Sequence, residues 1–158
     1  MLFRKKEYCL LAVCDGEVIP MSEIPDDVFS KGILGIGYGI KPKNGVIVSP
    51  VDGIVEVVTS TKHAYTVKNP EGLQIIIHIG IDTVSLEGNG FKSFVTEGQR
   101  VRAGDVLCHA DLGYISSNGI STVSAVLIAD SNMIEKIKYE YGNADGGKSP
   151  VMYYRRRG

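Results

Sequence analysis

A β-hairpin is predicted for residues 61–84, TKHAYTVKNPEGLQIIIHIGIDTV, and it carries two of the chain's three histidines. Asn69, Pro70 and Gly72 occupy the positions that these residue types favour in a type I turn. If the loop is symmetric, with two or four residues, His63 lies directly opposite His78, with Cβ atoms about 4.5–5.5 Å apart. A loop of three or five residues, or a bulge, would shift this register.

Alternation along the two strands then assigns side chains to two faces of the hairpin. The histidine face would also carry Thr61, Tyr65, Val67, Gln74, Ile76 and Gly80. The other face would carry Ala64, Ile75, Ile77 and Ile79, an apolar stripe suited to the core. The histidines are therefore expected to lie away from the most apolar face.

The rest of the chain predicts an all-β fold, a compact antiparallel sandwich or barrel with two short helices. Short runs rich in Val, Ile and Tyr alternate with Gly, Pro, Asn and Asp along all 158 residues, which we interpret as one domain. Residues 1–7 are expected to be a flexible N-terminus. The helices are expected in residues 22–32, starting near Ser22 or Pro25, and in residues 130–142, capped by Asp130 or Ser131. Residues 45–58 and 94–112 both place glycine between Val-rich strands, which suggests a duplicated β-motif.

Composition excludes several classes of function. The net charge is −1, and Lys and Arg are in excess only at the two ends of the chain, so nucleic-acid binding is not expected. Three cysteines without a CxxC pair indicate a reducing cytoplasm rather than a disulfide framework. No apolar segment is long enough to span a bilayer, and the start of the chain, MLFRKKEYCLLAVC, is interpreted as a first strand rather than a leader.

The two histidines leave three interpretations open: a packed structural pair, a metal site, or two halves of a catalytic site. Two facing imidazoles repel each other when both are charged, so at least one should be neutral near pH 7. A neutral imidazole keeps one unprotonated nitrogen, which is a nucleophile and a metal ligand. A metal site would need further ligands, and the spacing of His109 and Asp111 does not bring them close. A dinucleotide loop at GILGIGYGIKP is excluded, since no helix follows the glycines.

Several motifs resemble those of the glucose-type enzyme IIA of the bacterial phosphoenolpyruvate-dependent sugar phosphotransferase system. They are IPDDVFSKGILGIGYGIKP, VIVSPVDGIVEVVTSTKHAYTV, IIIHIGIDTVSLEGNGF and EGQRVRAGDVL, with looser similarity through SNMIEKI and GGKSPVMYY. The resemblance implies a β-sandwich and a cytoplasmic phosphotransferase component without a cofactor. Phosphorylated HPr would donate a phosphoryl group to a histidine, and the cysteine of an enzyme IIB domain would accept it.

The resemblance also implies roles for residues at matching positions. His78 would be the phosphorylated histidine, attacking through Nε2 while Gly80 accepts its Nδ1–H. His63 would hydrogen-bond the phosphoryl group, with Thr61 orienting it. The surface that binds partners would comprise Asp26, Val28, Phe29, Ile33, Leu34, Ile76, Ile79, Asp82 and Val84.

Departures from the family pattern leave a second interpretation open. Lys31 and Gly32 replace an acidic residue followed by lysine, and TVSAVLIADSN lacks the usual Thr-Pro. These changes bear on the partners, so the chain could be a regulatory relative that binds transporters or enzymes when unphosphorylated. A zinc hydrolase on a related β-fold is the third option. No intrinsic metal is expected, although His63 and His78 could bind adventitious zinc.

Overall fold

The computed structural model describes residues 6–158. The predicted flexible N-terminus falls mostly on residues 1–5, which lie outside the described residues, and Glu7 already begins the first strand. The strands of the described residues are β1 (Glu7–Leu11), β2 (Gly16–Pro20), β3 (Ile36–Pro42), β4 (Val46–Val48), β5 (Gly53–Val58), β6 (Ala64–Lys68), β7 (Gln74–His78), β8 (Phe91–Ser93), β9 (Arg100–Val101), β10 (Val106–Ala110), β11 (Ser124–Ile128), β12 (Ile134–Tyr139), β13 (Gly142–Ala144) and β14 (Pro150–Arg156). The helices are α1 (Asp27–Ser30) and α2 (Leu112–Ser117), with 3-10 turns at Met21–Glu23, Thr83–Leu86 and Ser131–Met133.

The strands form three antiparallel sheets. The largest has the order β13-β2-β3-β11-β7-β6-β5-β9, and the two three-stranded sheets have the orders β1-β14-β12 and β4-β10-β8. The sheets of the described residues have free edges and do not close into a barrel. The prediction of an antiparallel all-β fold with two short helices is confirmed.

The two Gly-containing segments that look alike in sequence lie against each other. β4 pairs with β10, and β5 pairs with β9. Their connecting loops are also joined, because Asp52 accepts a hydrogen bond from the Ala103 amide at 2.8 Å and Gly104 donates to the Ser49 carbonyl at 2.8 Å. These contacts join the β4-β10-β8 sheet to the edge of the largest sheet that is formed by β5 and β9.

The hairpin register predicted from a symmetric loop is wrong by one residue. The loop has three residues, because Asn69 donates to the Leu73 carbonyl at 3.0 Å and Gly72 closes it with a φ of 85°. Ala64, not His63, therefore pairs with His78. The shift reverses the predicted faces of β6: Tyr65 and Val67 are buried in the core, whereas Ala64 lies on the His78 side. The predicted core face of β7 is right, since Ile75 and Ile77 are fully buried.

The second predicted helix is also placed wrongly. Residues 130–142 form a 3-10 turn followed by β12, and α2 lies instead at residues 112–117, capped by Asp111, which accepts from the Tyr114 amide at 3.0 Å. A bulge in β12, with Lys136 at a φ of 55°, turns both Ile134 and Ile137 toward the core. Their spacing of three therefore imitates one face of a helix.

The first predicted helix is present but shorter. Only residues 27–30 are α-helical, and Asp26, not Ser22 or Pro25, is the N-cap. This helix lies over a small apolar cluster that is separate from the main core. The cluster consists of Ile24, Phe29, Ile81, Ala125 and Leu127. It supports the end of β7, where His78 lies.

Candidate active site

The two histidines meet even though they are not paired across the hairpin. Their ring centroids are 4.9 Å apart, and the ring planes are nearly perpendicular. His63 precedes the first residue of β6 and follows Lys62, whose φ is 59°, so strand alternation does not dictate where its ring lies. Its backbone still belongs to the hairpin, since the Ile79 amide donates to the His63 carbonyl at 2.8 Å.

His78 is held by a backbone carbonyl. It is the last residue of β7, and its Nδ1 lies 2.8 Å from the carbonyl oxygen of Gly80. A carbonyl oxygen only accepts, so Nδ1 carries the proton and the neutral ring keeps its lone pair on Nε2. The Phe29 ring packs on the imidazole with a centroid distance of 5.0 Å. His78 therefore presents one defined nucleophilic nitrogen.

Gly80 can place its carbonyl there because it has no side chain. Its φ is 72°, in the left-handed region. A Cβ atom would lie 2.4 Å from Thr83 Cγ2 and 2.9 Å from the Ser121 carbonyl oxygen. The turn after β7 thus needs glycine for both its conformation and its space.

His63 is held by a hydroxyl group instead. Its Nδ1 lies 2.6 Å from Thr61 Oγ1 and 3.5 Å from Thr59 Oγ1. The Thr59 hydroxyl is already engaged with the backbone of Ala64, accepting from its amide at 3.1 Å. When Thr61 donates to Nδ1, the proton of the neutral His63 ring lies on Nε2, where it can be donated to a ligand.

Burial keeps both rings neutral at pH 7. It lowers the pKa of His63 from 6.5 to about 4, and the neighbouring charge of His78 acts in the same direction. Burial also lowers the pKa of His78. The Gly80 carbonyl and the carboxylates of Asp26 and Asp82 oppose that change, since all three favour the charged ring.

The two acidic residues lie on short turns beside His78. Asp26 caps α1 and accepts from the Val28 amide at 2.8 Å. Asp82 has a φ of 61° and precedes the 3-10 turn at Thr83–Leu86. Asp82 is exposed and Asp26 is half-buried, so both carboxylates are available to a molecule that approaches the histidines.

Four residues of the predicted docking surface are exposed apolar side chains, and we call them the apolar collar: Val28, Ile33, Leu34 and Val84. Their side chains are 43%, 69%, 45% and 55% exposed, respectively. Ile76, also predicted for this surface, is half-buried. Two other predicted members are buried in the unbound chain. Ile79 lies on the core side of the hairpin, and Phe29 packs inward from α1 against His78. Exposed apolar side chains around a polar centre are typical of a transient docking surface.

Comparison with known proteins places the chain in a family. Residues 8–134 match the model of the phosphoenolpyruvate-dependent sugar phosphotransferase system, EIIA 1. The chain belongs to this EIIA family. It is 41% identical over 133 residues to the PTS system glucose-specific EIIA component of Oceanobacillus iheyensis, which covers 84% of this chain and 81% of that protein.

Two further comparisons extend the EIIA assignment. A PTS system glucose-specific EIICBA component of Staphylococcus saprophyticus is 46% identical over 127 residues, which is 80% of this chain but only 19% of that longer protein. The solved structure of glucose permease IIA from Mycoplasma capricolum matches with a TM-score of 0.90 at 36% identity. That match covers 97% of this chain and 99% of the solved one. The sequence-based assignment to the enzyme IIA family is confirmed.

Three hydroxyl residues of this EIIA chain support the site but were not predicted from its sequence. Ser124 accepts the Gly80 amide at 3.1 Å, Thr83 donates to the Ile79 carbonyl at 2.6 Å, and Thr59 lies near His63. Ser124 lies 44 residues from Gly80, so no local pattern relates them. Thr83 and Thr59 lie within the hairpin region, but their roles depend on the turns that the chain makes there.

His109 and the cysteines lie apart from the histidine pair. His109 is exposed on β10 and packs against Phe94 with a centroid distance of 4.4 Å and tilted ring planes. Cys14 and Cys108 are buried, Cys9 is half-buried, and all three are free, as predicted. Within residues 6–158, no group of three or more His, Cys, Asp or Glu side chains is arranged to hold a metal ion. None of the helices among these residues has the length and apolar character needed to cross a membrane.

Proposed function

We propose that this EIIA chain is a cytoplasmic phosphocarrier. His78 accepts a phosphoryl group from phosphorylated HPr and passes it to the cysteine of an enzyme IIB domain. The observation that carries the proposal is the bond between His78 Nδ1 and the Gly80 carbonyl, which leaves Nε2 as the nucleophile beside His63. Family membership supports the pathway, and the neutral state of His78 at pH 7 supports its use as a nucleophile.

The transfer consists of two displacements at phosphorus. In the first, His78 Nε2 forms a bond to phosphorus as the bond to the donor histidine breaks, and the electron pair of that bond returns to the donor ring. In the second, the thiolate of the IIB cysteine forms a bond to phosphorus as the bond to His78 Nε2 breaks. The proton stays on Nδ1 of His78 and is donated to the Gly80 carbonyl throughout, so the phosphohistidine intermediate keeps one orientation.

His63 stabilises the charge of the phosphoryl oxygens. In this role Thr61 donates to Nδ1 at 2.6 Å, and the Nε2–H of His63 donates to an oxygen of the group on His78. Hydrogen bonding and positioning supply most of the catalysis in phosphoryl transfer, because the transition state spreads charge over those oxygens. The lowered pKa of His63 makes it a neutral donor when the phosphoryl group arrives.

Partners dock on the apolar collar and meet Asp26 and Asp82. Two carboxylates beside exposed apolar side chains favour partners that present arginine or lysine around an apolar patch. The EIICBA relative, in which an EIIA part is joined to further components, supports a IIB domain as the acceptor. Since the relatives are named as glucose-specific, glucose is the first sugar to test.

Reconstitution with enzyme I, HPr and radiolabelled phosphoenolpyruvate tests the proposal. We expect one phosphoryl group per chain, stable in base and labile in acid, and its loss in His78→Ala. His109→Ala is the matched control, because that histidine is exposed and lies outside the pair, and it should label like the unaltered chain. Labelling that persists in His78→Ala contradicts the assignment.

The exposed apolar collar also supports a second role, in which the unphosphorylated chain binds and regulates a transporter or enzyme. A phosphoryl group on His78 places negative charge at the centre of the collar and would weaken an apolar contact there. Binding assays with a candidate partner should show tighter association for the unphosphorylated chain. Equal association of both forms would exclude this type of regulation.

A further inference from the structure

Ser124 is joined to the phosphoryl site through Gly80. It is the first residue of β11 and is fully buried. Its hydroxyl accepts the Gly80 N–H at 3.1 Å and donates to the Thr122 carbonyl at 3.0 Å. An N–H can only donate and a carbonyl can only accept, so the direction of both hydrogen bonds is determined.

The peptide that holds His78 is fixed on its other side by the same segment of chain. The Gly80 carbonyl and the Ile81 N–H belong to one peptide unit. The Ile81 N–H donates to the Ser121 carbonyl at 3.0 Å, while the Gly80 oxygen accepts from His78 Nδ1 at 2.8 Å. Hydrogen bonds connected in this way polarise one another. Residues 121–124 therefore hold two successive amides of the turn that orients the nucleophile.

We propose that Ser124 is a positioning residue for phosphoryl transfer, holding the Gly80 turn so that its carbonyl keeps the proton of His78 on Nδ1. The inference rests on the proposed function of His78. It goes beyond that function because it assigns a role to a buried residue that lies 44 positions from Gly80 and takes no part in the proposed transfer steps. The Ser124 hydroxyl accepts the Gly80 N–H, just as the Ser121 backbone carbonyl accepts the Ile81 N–H.

The first test follows the tautomer of His78 by ¹⁵N NMR of the unphosphorylated chain. In the unaltered chain we expect the Nδ1–H tautomer alone. Ser124→Ala removes the acceptor of the Gly80 N–H and should give a mixture of tautomers for His78 while leaving His63 unchanged. Ser121→Ala is the matched control, since that hydroxyl accepts only from the Val123 amide at 3.2 Å, and it should leave His78 unchanged.

The second test measures the rate of phosphorylation by phosphorylated HPr. Ser124→Ala should slow it by roughly 10- to 100-fold, because a displaced nucleophile loses the alignment of the reacting atoms. Ser124→Thr keeps the hydroxyl and should restore most of the rate. Ser124→Cys keeps the volume with a weaker hydrogen-bonding group, so a partial loss is expected even if Ser124→Ala proves unstable.

Two results would overturn the inference: an unchanged His78 tautomer in Ser124→Ala and Ser124→Cys, or equal losses in Ser124→Ala and Ser121→Ala. The tautomer does not depend on any donor protein. If the unaltered chain shows the Nδ1–H tautomer but is never labelled, the proposed function fails. If it is labelled and Ser124→Ala is labelled equally fast, only the role of Ser124 fails.

Discussion

His63 and His78 lie side by side but are held in different ways. The Nδ1 of His78 meets a carbonyl oxygen, which only accepts a proton, whereas the Nδ1 of His63 meets a hydroxyl, which accepts or donates. The first contact fixes one tautomer, and the second adapts to the state of the ring. This difference supports unequal roles, with His78 as the covalent carrier and His63 as the hydrogen-bonding partner, although the two residues are of the same type.

Gly80→Ala should have the largest effect, because it alters the carbonyl contact that distinguishes His78 from His63. The added Cβ has no room beside Thr83 and Ser121, and a φ of 72° is unfavourable for alanine. We expect phosphorylation of His78 to fall by at least roughly 100-fold because the carbonyl is displaced from Nδ1. Rates measured with phosphorylated HPr under single-turnover conditions test this.

Gly72→Ala is the matched control for that variant. Its φ of 85° is also left-handed, but a Cβ there meets no atom within 4 Å. It should lower the free energy of unfolding by about 1 kcal/mol and leave the phosphorylation rate unchanged. Equal losses of rate in the two glycine variants would contradict a specific role for the Gly80 carbonyl.

His63→Gln should separate acceptance of the phosphoryl group from its onward transfer. His78 keeps its carbonyl partner, so the variant should still become fully labelled. Transfer to a IIB domain should slow by roughly 100-fold, because a donor to the phosphoryl oxygens is lost or misplaced. Loss of labelling itself would show that His63 is needed for the first step as well.

Thr61→Val tests the hydroxyl contact of His63 and should have a smaller effect. It removes the 2.6 Å contact to His63 Nδ1 and leaves His78 untouched. Onward transfer should slow by roughly 10-fold, since the His63 ring is still present but no longer oriented. Thr61→Ser should recover the rate, and failure to recover would indicate that the methyl group, not the hydroxyl, is what matters.

The smallest expected effect is on the pH dependence of the free energy of unfolding. Folding lowers the pKa of His63 from 6.5 to about 4, so between these values the unfolded chain binds more protons than the folded one. The free energy of unfolding should therefore rise with pH across this window, and fall again on acidification, by at most about 1.4 kcal/mol per pH unit for one histidine. His63→Gln should make the slope shallower in denaturant titrations, and an identical slope would contradict a buried neutral His63.

The sequence was sufficient for the fold class and for bringing the two histidines together, but not for the register. The turn residues of KNPEG predicted a hairpin correctly. The number of residues in its loop depends on Gly72 adopting a positive φ, which the turn pattern does not determine. A shift of one residue moved Tyr65 and Val67 from the predicted histidine face to the core.

Other elements were missed because they depend on contacts between distant parts of the chain. The bulge in β12 gave residues 130–142 the periodicity of a helix, and only the pairing with β14 resolves it. The link from Ser124 to Gly80 joins β11 to the turn after β7, which no local pattern relates. Ile79 was assigned to the docking surface by position in the family, but its burial follows from the hairpin's own alternation.

Identifying the atom that carries the phosphoryl group is the most direct test of the proposed mechanism. ¹⁵N and ³¹P NMR of the chain phosphorylated by phosphorylated HPr, with histidine labelled by ¹⁵N, identifies the residue and the nitrogen. The account predicts a bond from phosphorus to Nε2 of His78, with the Nδ1 proton still donated to Gly80. Phosphorus on Nδ1 of His78, or on either nitrogen of His63, would contradict it.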